Sequence, residues 1–280
     1  MQKAESDNLR IKEIIQAEKP FFIGRIAGCE LKVAYYHRMN RLLEVSQELN
    51  ELENNAGIYS PSQDSLTKYS AALIKSYEHC SAIAEWDGKV FALTGEGQQF
   101  IQRKTPNTPK FDARALEPYY FSNNWMSALK GKNILIIHPF SKTLEKQTSK
   151  LKSLFPNQPW FEDCAIQFLS PPLTLAGNHD NKSWDEHLEP FLKKISDMPP
   201  FDIALVAAGG YGMLISDYIF THCNKSVMYI GGALQLFFGV IGKRWFDNKD
   251  IVKMVNDDWI RPSSQDCPQN FSRVEKGCYW

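Results

Sequence analysis

Short, uninterrupted apolar runs recur along the chain, and each leads into glycine or proline. They are FFIGRI (21–26), NILIIHPF (133–140), FDIALVAAGG (201–210) and SVMYIGG (226–232). Continuous rather than alternating hydrophobicity is typical of strands that are buried on both faces, as in a parallel sheet covered by helices. The pattern therefore predicts an α/β fold with a mostly parallel sheet.

Helical periodicity dominates the stretch between the first two of these runs. Apolar residues in 31–54 recur in steps of three and four, which predicts one long amphipathic helix. They are Leu31, Tyr35, Met39, Leu42, Val45, Leu49 and Leu52. A second helix is predicted to begin near Pro61, with Ser60 as its cap and Gln63 completing a capping box. Its apolar stripe, from Leu66 to Ala84, is expected to pack in the core.

No internal repeat or compositional break divides the 280 residues. The stretch QRKTPNTPKFDAR (102–114) contains prolines and lysines without low complexity, which predicts a loop. We expect a single domain, 1–280, with a helical insertion at about 31–115.

Composition restricts the classes of partner. The chain has 32 basic and 32 acidic residues, so no overall field favours nucleic acid or an anionic membrane. Its six cysteines show no CxxC spacing, and the charged start lacks a signal-peptide core, so we expect reduced thiols and a cytoplasmic protein. No apolar stretch reaches the roughly 20 residues that a transmembrane segment requires.

Unusual residues follow four of the predicted strands, where ligands bind in open parallel sheets. The candidates are Arg25, Gly28, Glu30, His138, Gly209, Gly210, Tyr211, Gly212, Gly231 and Gly232. In the turn GGYG (209–212), backbone amides and a following helix could approach a phosphate without a Cβ in the way. The alternative is that these glycines only form a tight turn.

A further glycine-containing stretch is GGALQLFFGVIGKRW (231–245). It adds Gln235 near a strand end and the cations Lys243 and Arg244 beside Trp245. Cations next to an aromatic ring suit a nucleotide diphosphate. The alternative is a solvated basic pair beside a buried tryptophan.

Several enzyme classes lack their motifs. The turn GGYGML has no third glycine and SVMYIGG ends without an acidic residue, so a nicotinamide cofactor is not expected. No phosphate-binding loop of the GxxxxGK[ST] type occurs, which disfavours simple kinases and NTPases. There is no GxSxG nucleophile elbow, and His138 has no identifiable nucleophilic partner.

Six blocks taken together resemble the GT-D-like glycosyltransferase-fold family of surface-polysaccharide gene clusters. They are FFIGRIAGCEL, NNAGIY, LEPYYFSNNWMSALKGKNILIIHPF, AAGGYGM, GGALQLFFGVIGKRW and VEKGCYW, and they span 21–280. The resemblance implies a Rossmann-like domain, a nucleotide-sugar donor and a D-x-E motif after the first strand that holds a divalent metal (Mn or Mg).

This chain departs from the R-F-G-D-G-E pattern of those enzymes. Arg25 and Glu30 match its arginine and glutamate, but Gly28 stands in place of the aspartate. A lone glutamate holds a hard divalent ion weakly, because such ions require several oxygen ligands. Either Arg25, Lys243 and Arg244 offset the diphosphate charge, or catalysis has been lost. Alternatively, Arg25 and Glu30 form an internal salt bridge that fixes the turn.

The resemblance and the strand-end residues lead to two hypotheses. The first is a glycosyltransferase that moves a sugar from a nucleotide diphosphate-sugar donor to a glycan or lipid-linked acceptor, with Glu30 catalytic and the other candidates binding the donor. The second is a noncatalytic binding or regulatory protein of polysaccharide assembly. A nucleotide-sugar-modifying enzyme is a third class with less support.

Overall fold

The computed structural model describes residues 1–87 and 95–280. The strands in this part of the chain form one sheet of seven, and every strand pairing is parallel. They are β1 (Phe22–Arg25), β2 (Ala82–Glu85), β3 (Lys110–Asp112), β4 (Asn133–Ile137), β5 (Ala165–Leu169), β6 (Ile203–Val206) and β7 (Ser226–Tyr229). The predicted α/β class with a parallel, Rossmann-like sheet is confirmed.

Helices cover both faces of the sheet. The α-helices of the described residues are α1 (Gln2–Gln16), α2 (Gly28–Arg38), α3 (Ser46–Asn54), α4 (Gln63–Glu78), α5 (Gly95–Lys104), α6 (Ser141–Gln147), α7 (Leu151–Leu154), α8 (Trp184–Ser196), α9 (Gly212–Thr221) and α10 (Lys249–Val252). None of them is both long and apolar enough to cross a lipid bilayer.

The continuous hydrophobicity of the strands has a direct structural reason. In β4, Ile134 and Ile136 face the core that contains α1 and the C-terminal part of the chain. Leu135 and Ile137 face the other core, which contains residues of α2, α4, α8 and α9. Successive side chains of a strand point to opposite faces, so a strand between two cores needs apolar residues at every position.

The strand order is β3-β2-β1-β7-β6-β4-β5. The chain builds outward from β1 to β3, crosses to β4 and β5 at the far edge, and then fills the gap with β6 and β7. The connection after β4 runs to β5 on one side and the connection after β6 runs to β7 on the other side, so the direction of chain progression changes between β4 and β6. In such sheets, ligands bind beyond the carboxyl ends of the strands near this point.

The helical region is divided into more helices than the sequence predicts. The helix expected over 31–54 is divided: α2 ends at Arg38, Asn40 takes a left-handed φ of 54°, and α3 begins at Ser46. Asparagine tolerates this conformation at the end of a helix, and the three- and four-residue steps continue across the break. The next helix, α4, was predicted near its true start, but its cap is Ser62, whose hydroxyl accepts the Ser65 N–H at 3.1 Å.

The stretch 31–115 is not purely helical, because it also contributes β2 and β3 to the sheet. Ala84, predicted to continue the α4 stripe, lies in β2. The segment 102–114, predicted to be a loop, contains the end of α5 and β3, where Phe111 is buried. Both strands are too short for their own sequence to identify them, and pairing with β1 and β2 defines them.

Candidate functional site

A cavity of about 420 Å³ opens at the carboxyl ends of the strands. The strand ends contribute residues 25–30 after β1, Trp86 after β2, 138–140 after β4, 207–209 after β6, and 231–232 after β7. Helix α3 supplies a second wall, and residues 274–280, here called the C-terminal segment, supply a third through Val274, Glu275, Tyr279 and Trp280. Five separate strand ends thus converge on one site.

The structure brings most of the predicted site residues together. Those that line the cavity are Arg25, Gly28, Glu30, His138, Gly209, Gly231, Gly232, Gln235 and Arg244. Gly210, Tyr211, Gly212 and Lys243 do not line it.

Arg25 lies at the end of β1 between aromatic rings and a glycine. Its guanidinium carbon is 5.5 Å from the centre of the Trp86 ring and 5.4 Å from that of Tyr229. A Cβ at Gly231, whose φ is 77°, would come within 2.7 Å of this carbon, so glycine is required there for both backbone and space. Within the described part of the chain, the buried Arg25 Nε has no hydrogen-bond partner.

Glu30 lies in the first turn of α2 and is only 9% exposed. Burial raises the pKa of its carboxyl group, and the nearby Glu275 charge raises it further, whereas its backbone N–H and the Arg25 charge lower it. Among the ion pairs formed by residues 1–87 and 95–280, none joins Arg25 to Glu30. The alternative of an internal salt bridge between them is therefore not what the structure contains.

His138 follows β4 and is fixed in one tautomer. The Phe140 backbone N–H donates to His138 Nδ1 at 2.9 Å, so the proton of the neutral ring is on Nε2. Complete burial lowers the pKa of the ring to about 3. At neutral pH, His138 is therefore an uncharged hydrogen-bond donor at the cavity.

Arg244 holds the C-terminal segment over the strand ends. Its Nη1 donates to Glu275 Oε2 at 2.8 Å and to the Tyr279 hydroxyl at 2.9 Å. Gln235, a predicted donor-binding residue, uses its Nε2 on the carbonyls of Val240 (3.1 Å) and Tyr279 (3.2 Å). The buried Gln235 side chain thus holds the C-terminal segment in place through its hydrogen bond to Tyr279 O.

The turn GGYG does not offer the free amides that the sequence suggested. The N–H of Gly210 donates to Ala56 O at 2.8 Å, that of Tyr211 to Ala208 O at 3.1 Å, and that of Gly212 to Gly209 O. The predicted phosphate-binding role of these three amides is wrong, because backbone carbonyls already occupy them. The turn packs against the 56–58 loop instead.

Lys243 also differs from its prediction. It does not line the cavity, and its backbone N–H donates to Trp280 O at 3.3 Å. It begins a short 3-10 helix with Arg244, and neighbouring positions of such a helix point in different directions. Only the second of the two cations therefore reaches the site.

Among the described cavity residues, the backbone N–H groups of Gly28 and Cys29 in the β1–α2 junction have no backbone acceptor, whereas that of Glu30 faces its own carboxyl group. Gly28, Cys29 and Glu30 form the first turn of α2 and line the cavity. The amides of a first helical turn have no intrahelical partners and carry the positive end of the helix dipole. Tyr77 fixes this junction, because its hydroxyl accepts the Ala27 N–H at 3.0 Å and donates to Arg25 O at 3.2 Å.

Sequence reasoning missed Trp86 and the polar residues Lys32, Glu48, Glu51 and Asn55. Trp86 follows β2, where the sequence pattern predicts the continuation of a helix. The α3 residues were assigned to a continuous amphipathic helix, and their polar face gives no sequence signal that it turns towards strand ends distant in the chain.

The described residues do not fit a bound divalent cation. They contain no group of three or more His, Cys, Asp or Glu side chains arranged to hold one. Glu48 is ion-paired to Lys32, and Arg25 places a positive charge near Glu30. A divalent ion placed here would therefore depend on water and on the phosphates of a ligand for most of its oxygen ligands.

Comparison of the chain with protein families, with curated proteins and with solved structures finds no match.

Gly212→Val should destabilise the fold. A Cβ at Gly212 would lie 2.2 Å from Tyr229 Cε2, and this tyrosine is 2% exposed with its hydroxyl bound to Gly209 O at 2.9 Å. We expect a loss of about 1–3 kcal/mol of unfolding free energy in urea titrations, the usual cost of overpacking. Gly95→Ala is the control, since a Cβ there meets no atom of the described residues within 4 Å. Equal losses in both variants would contradict this account.

Glu30→Gln should change how stability depends on pH. A carboxyl group whose pKa is raised on folding stabilises the folded state most below its unfolded pKa, near 4.5, and that contribution disappears as pH rises through the folded pKa. The unfolding free energy of Glu30→Gln relative to the wild type should therefore increase from pH 4 towards pH 8, by at most about 1.4 kcal/mol per pH unit. A difference that stays constant with pH would refute the burial argument.

Proposed function

We propose that this protein is a glycosyltransferase that moves a sugar from a nucleotide diphosphate-sugar donor to a glycan or lipid-linked acceptor. The observation that carries the proposal is Arg25, a cavity arginine that has no carboxylate partner within 4.0 Å among the described residues and a buried Nε without an acceptor. Leaving a buried donor unpaired costs about 1–3 kcal/mol, so an anionic ligand beside this guanidinium would offset an existing cost.

The diphosphate group fits the side of the cavity formed by Arg25, the first turn of α2 and Arg244. The backbone N–H groups of Gly28 and Cys29 can donate to phosphate oxygens, and Gly28 has no side chain to block the approach. Arg244 is partly exposed at 43% and can exchange its contact with Glu275 for a phosphate. His138 Nε2 adds a neutral donor. This arrangement supports binding of a doubly or triply charged group.

Glu30 suits the role of general base. The acceptor hydroxyl transfers its proton to the Glu30 carboxylate while its oxygen bonds to the anomeric carbon of the donor. The bond from that carbon to the diphosphate oxygen breaks, and its electron pair leaves with the nucleoside diphosphate. A carboxylate with a raised pKa is a stronger base than an exposed one.

The leaving group gains negative charge as this bond breaks. Fixed cations and amides that already point at the diphosphate stabilise that charge without further reorganisation. No step is assigned to a metal ion, because the residues around Glu30 do not form a ligand set for one. The free state of all six cysteines agrees with a reducing compartment, and the proposal places the protein in the cytoplasm.

One observation favours the second function, a noncatalytic binding or regulatory protein of polysaccharide assembly. Gly28 occupies the position where the resembled enzymes have an aspartate, which removes a carboxylate from the site. Such a protein would bind a nucleotide sugar or glycan without turnover. Product analysis after incubation with nucleotide sugars separates the two functions, because transfer or hydrolysis of the donor excludes the noncatalytic one.

Arg25→Gln should weaken binding of nucleoside diphosphates. Losing one charge-assisted contact should reduce the affinity for UDP or GDP about tenfold to a hundredfold in calorimetric titrations. Arg103→Gln, on the exposed side of α5, is the control and should bind like the wild type. If the wild-type protein binds neither UDP, GDP, ADP nor CDP, the donor site is refuted.

Glu30→Gln should separate binding from chemistry. The substitution removes the base but retains the shape of the side chain, so turnover should fall about one-hundredfold to ten-thousandfold. Affinity for the nucleoside diphosphate should stay the same or increase, since a negative charge near the phosphates is lost. Sugar release or transfer is measured at saturating donor; unchanged turnover would remove Glu30 from the mechanism.

A further inference from the structure

The cavity is divided electrostatically into two sides. Arg25 and Arg244 lie on one side, at the strand ends. The other side is formed by Glu48, Glu51 and Asn55, which we call the α3 wall. Their spacing of three and four residues places them on one face at the end of α3. A ligand that fills the cavity therefore meets cations at one end and carboxylates at the other.

The acidic side keeps uncompensated charge. Lys32 is ion-paired to Glu48, which neutralises that carboxylate. Glu51 accepts a hydrogen bond from Gln47 Nε2 at 2.9 Å, and no cation lies within 4.0 Å of it in the part of the chain described. The thiol of Cys29, in the adjacent turn, has its pKa raised by burial and then by Glu30, Glu51 and Glu48, so these three carboxylates act on the same thiol.

Glu30 provides an independent indication of a ligand at this place. Its side chain is 91% buried, lines the cavity and has no hydrogen bond or ion pair with the side chain of another described residue. A carboxylate has several acceptor sites, and one that faces a cavity with only its own backbone N–H as a partner marks a place where the donors of a ligand can bind.

We infer that the α3 wall is a sugar subsite that holds a neutral, hydroxyl-bearing ring next to the diphosphate. This inference rests on the proposed function. A phosphate is repelled from the α3 wall by Glu51, so the diphosphate is confined to the arginine side. Sugar hydroxyls, in contrast, are donors that carboxylates accept, and they carry no charge that the wall would repel.

Glu51 is the binding residue that this subsite depends on. Glu48 is occupied by Lys32, and Asn55 Oδ1 accepts the Glu275 N–H at 3.2 Å, which leaves the Asn55 Nδ2 donors for a ring oxygen or hydroxyl. Among the described residues, Glu51 is therefore the carboxylate of the wall without a cation partner, and its second oxygen, Oε2, is the acceptor left for a ligand. With the diphosphate on one side and the ring on the other, the anomeric carbon lies between them, beside Glu30.

The test measures how much the sugar adds to nucleotide affinity. Dissociation constants for UDP, UDP-glucose, GDP and GDP-mannose are determined by calorimetry for the wild type, Glu51→Ala, Glu51→Gln and the exposed control Glu189→Ala. In the wild type and control, at least one sugar should strengthen binding relative to its nucleoside diphosphate. In Glu51→Ala that gain should fall about tenfold while UDP and GDP bind as tightly as before or more tightly, and Glu51→Gln should lie between.

A second set of titrations distinguishes the sugar of the donor from the sugar of the acceptor as the occupant of the subsite. Methyl α-glucoside and methyl α-mannoside are titrated into protein saturated with UDP or GDP. In one outcome, the glycoside binds the wild type but not Glu51→Ala, while the affinity of each nucleotide sugar relative to its nucleoside diphosphate is the same in both proteins. That result assigns the ring to the acceptor and still supports a sugar subsite. If nucleoside diphosphates bind but Glu51→Ala alters neither measurement, the subsite is refuted and the proposed function stands. If the wild type binds no nucleoside diphosphate, both are refuted.

Discussion

Parallel strand pairing is the constraint on which the rest of this structure depends. Because every pairing in the described sheet is parallel, the carboxyl ends of the strands meet along one edge. The segments after β1, β2, β4, β6 and β7 converge there although they are separated by up to two hundred residues of sequence. The cavity is thus a consequence of topology, and its chemistry depends on which residue follows each strand.

Close packing around Arg25 decides what that edge can bind. The side chain lies between Trp86 and Tyr229, and the absence of a Cβ at Gly231 gives it room. Among the described residues its guanidinium forms no ion pair with Glu30, whose pKa is raised by burial. The arrangement places a cation and a buried carboxyl group in the same cavity, which is what the proposed function requires.

The C-terminal segment completes the site through contacts that only small residues permit. A Cβ at Gly232 would lie 2.4 Å from Tyr279 Cε1, and one at Gly242 would lie 2.4 Å from Tyr279 O. Trp280 packs against Phe140, with ring centres 5.7 Å apart, and its Nε1 donates to Asp266 O at 2.7 Å. Glycines that resemble a phosphate-binding pattern in sequence therefore serve here to bring backbone and aromatic rings together.

The sequence by itself determined the α/β class and the strands that pass through both cores, since burial on two faces leaves a continuous apolar run such as 133–137 that no surface strand requires. It also located Arg25, Glu30 and His138 near the ends of strands, because a polar residue at the end of such a run lies where the buried strand stops. Tertiary structure alone decided whether amides were free: Gly210 is bonded to Ala56, a partner more than 150 residues away that local sequence does not reveal. The same holds for β2, the α3 wall and Trp86, whose positions arise from long-range pairing and packing rather than from any pattern in their own segments.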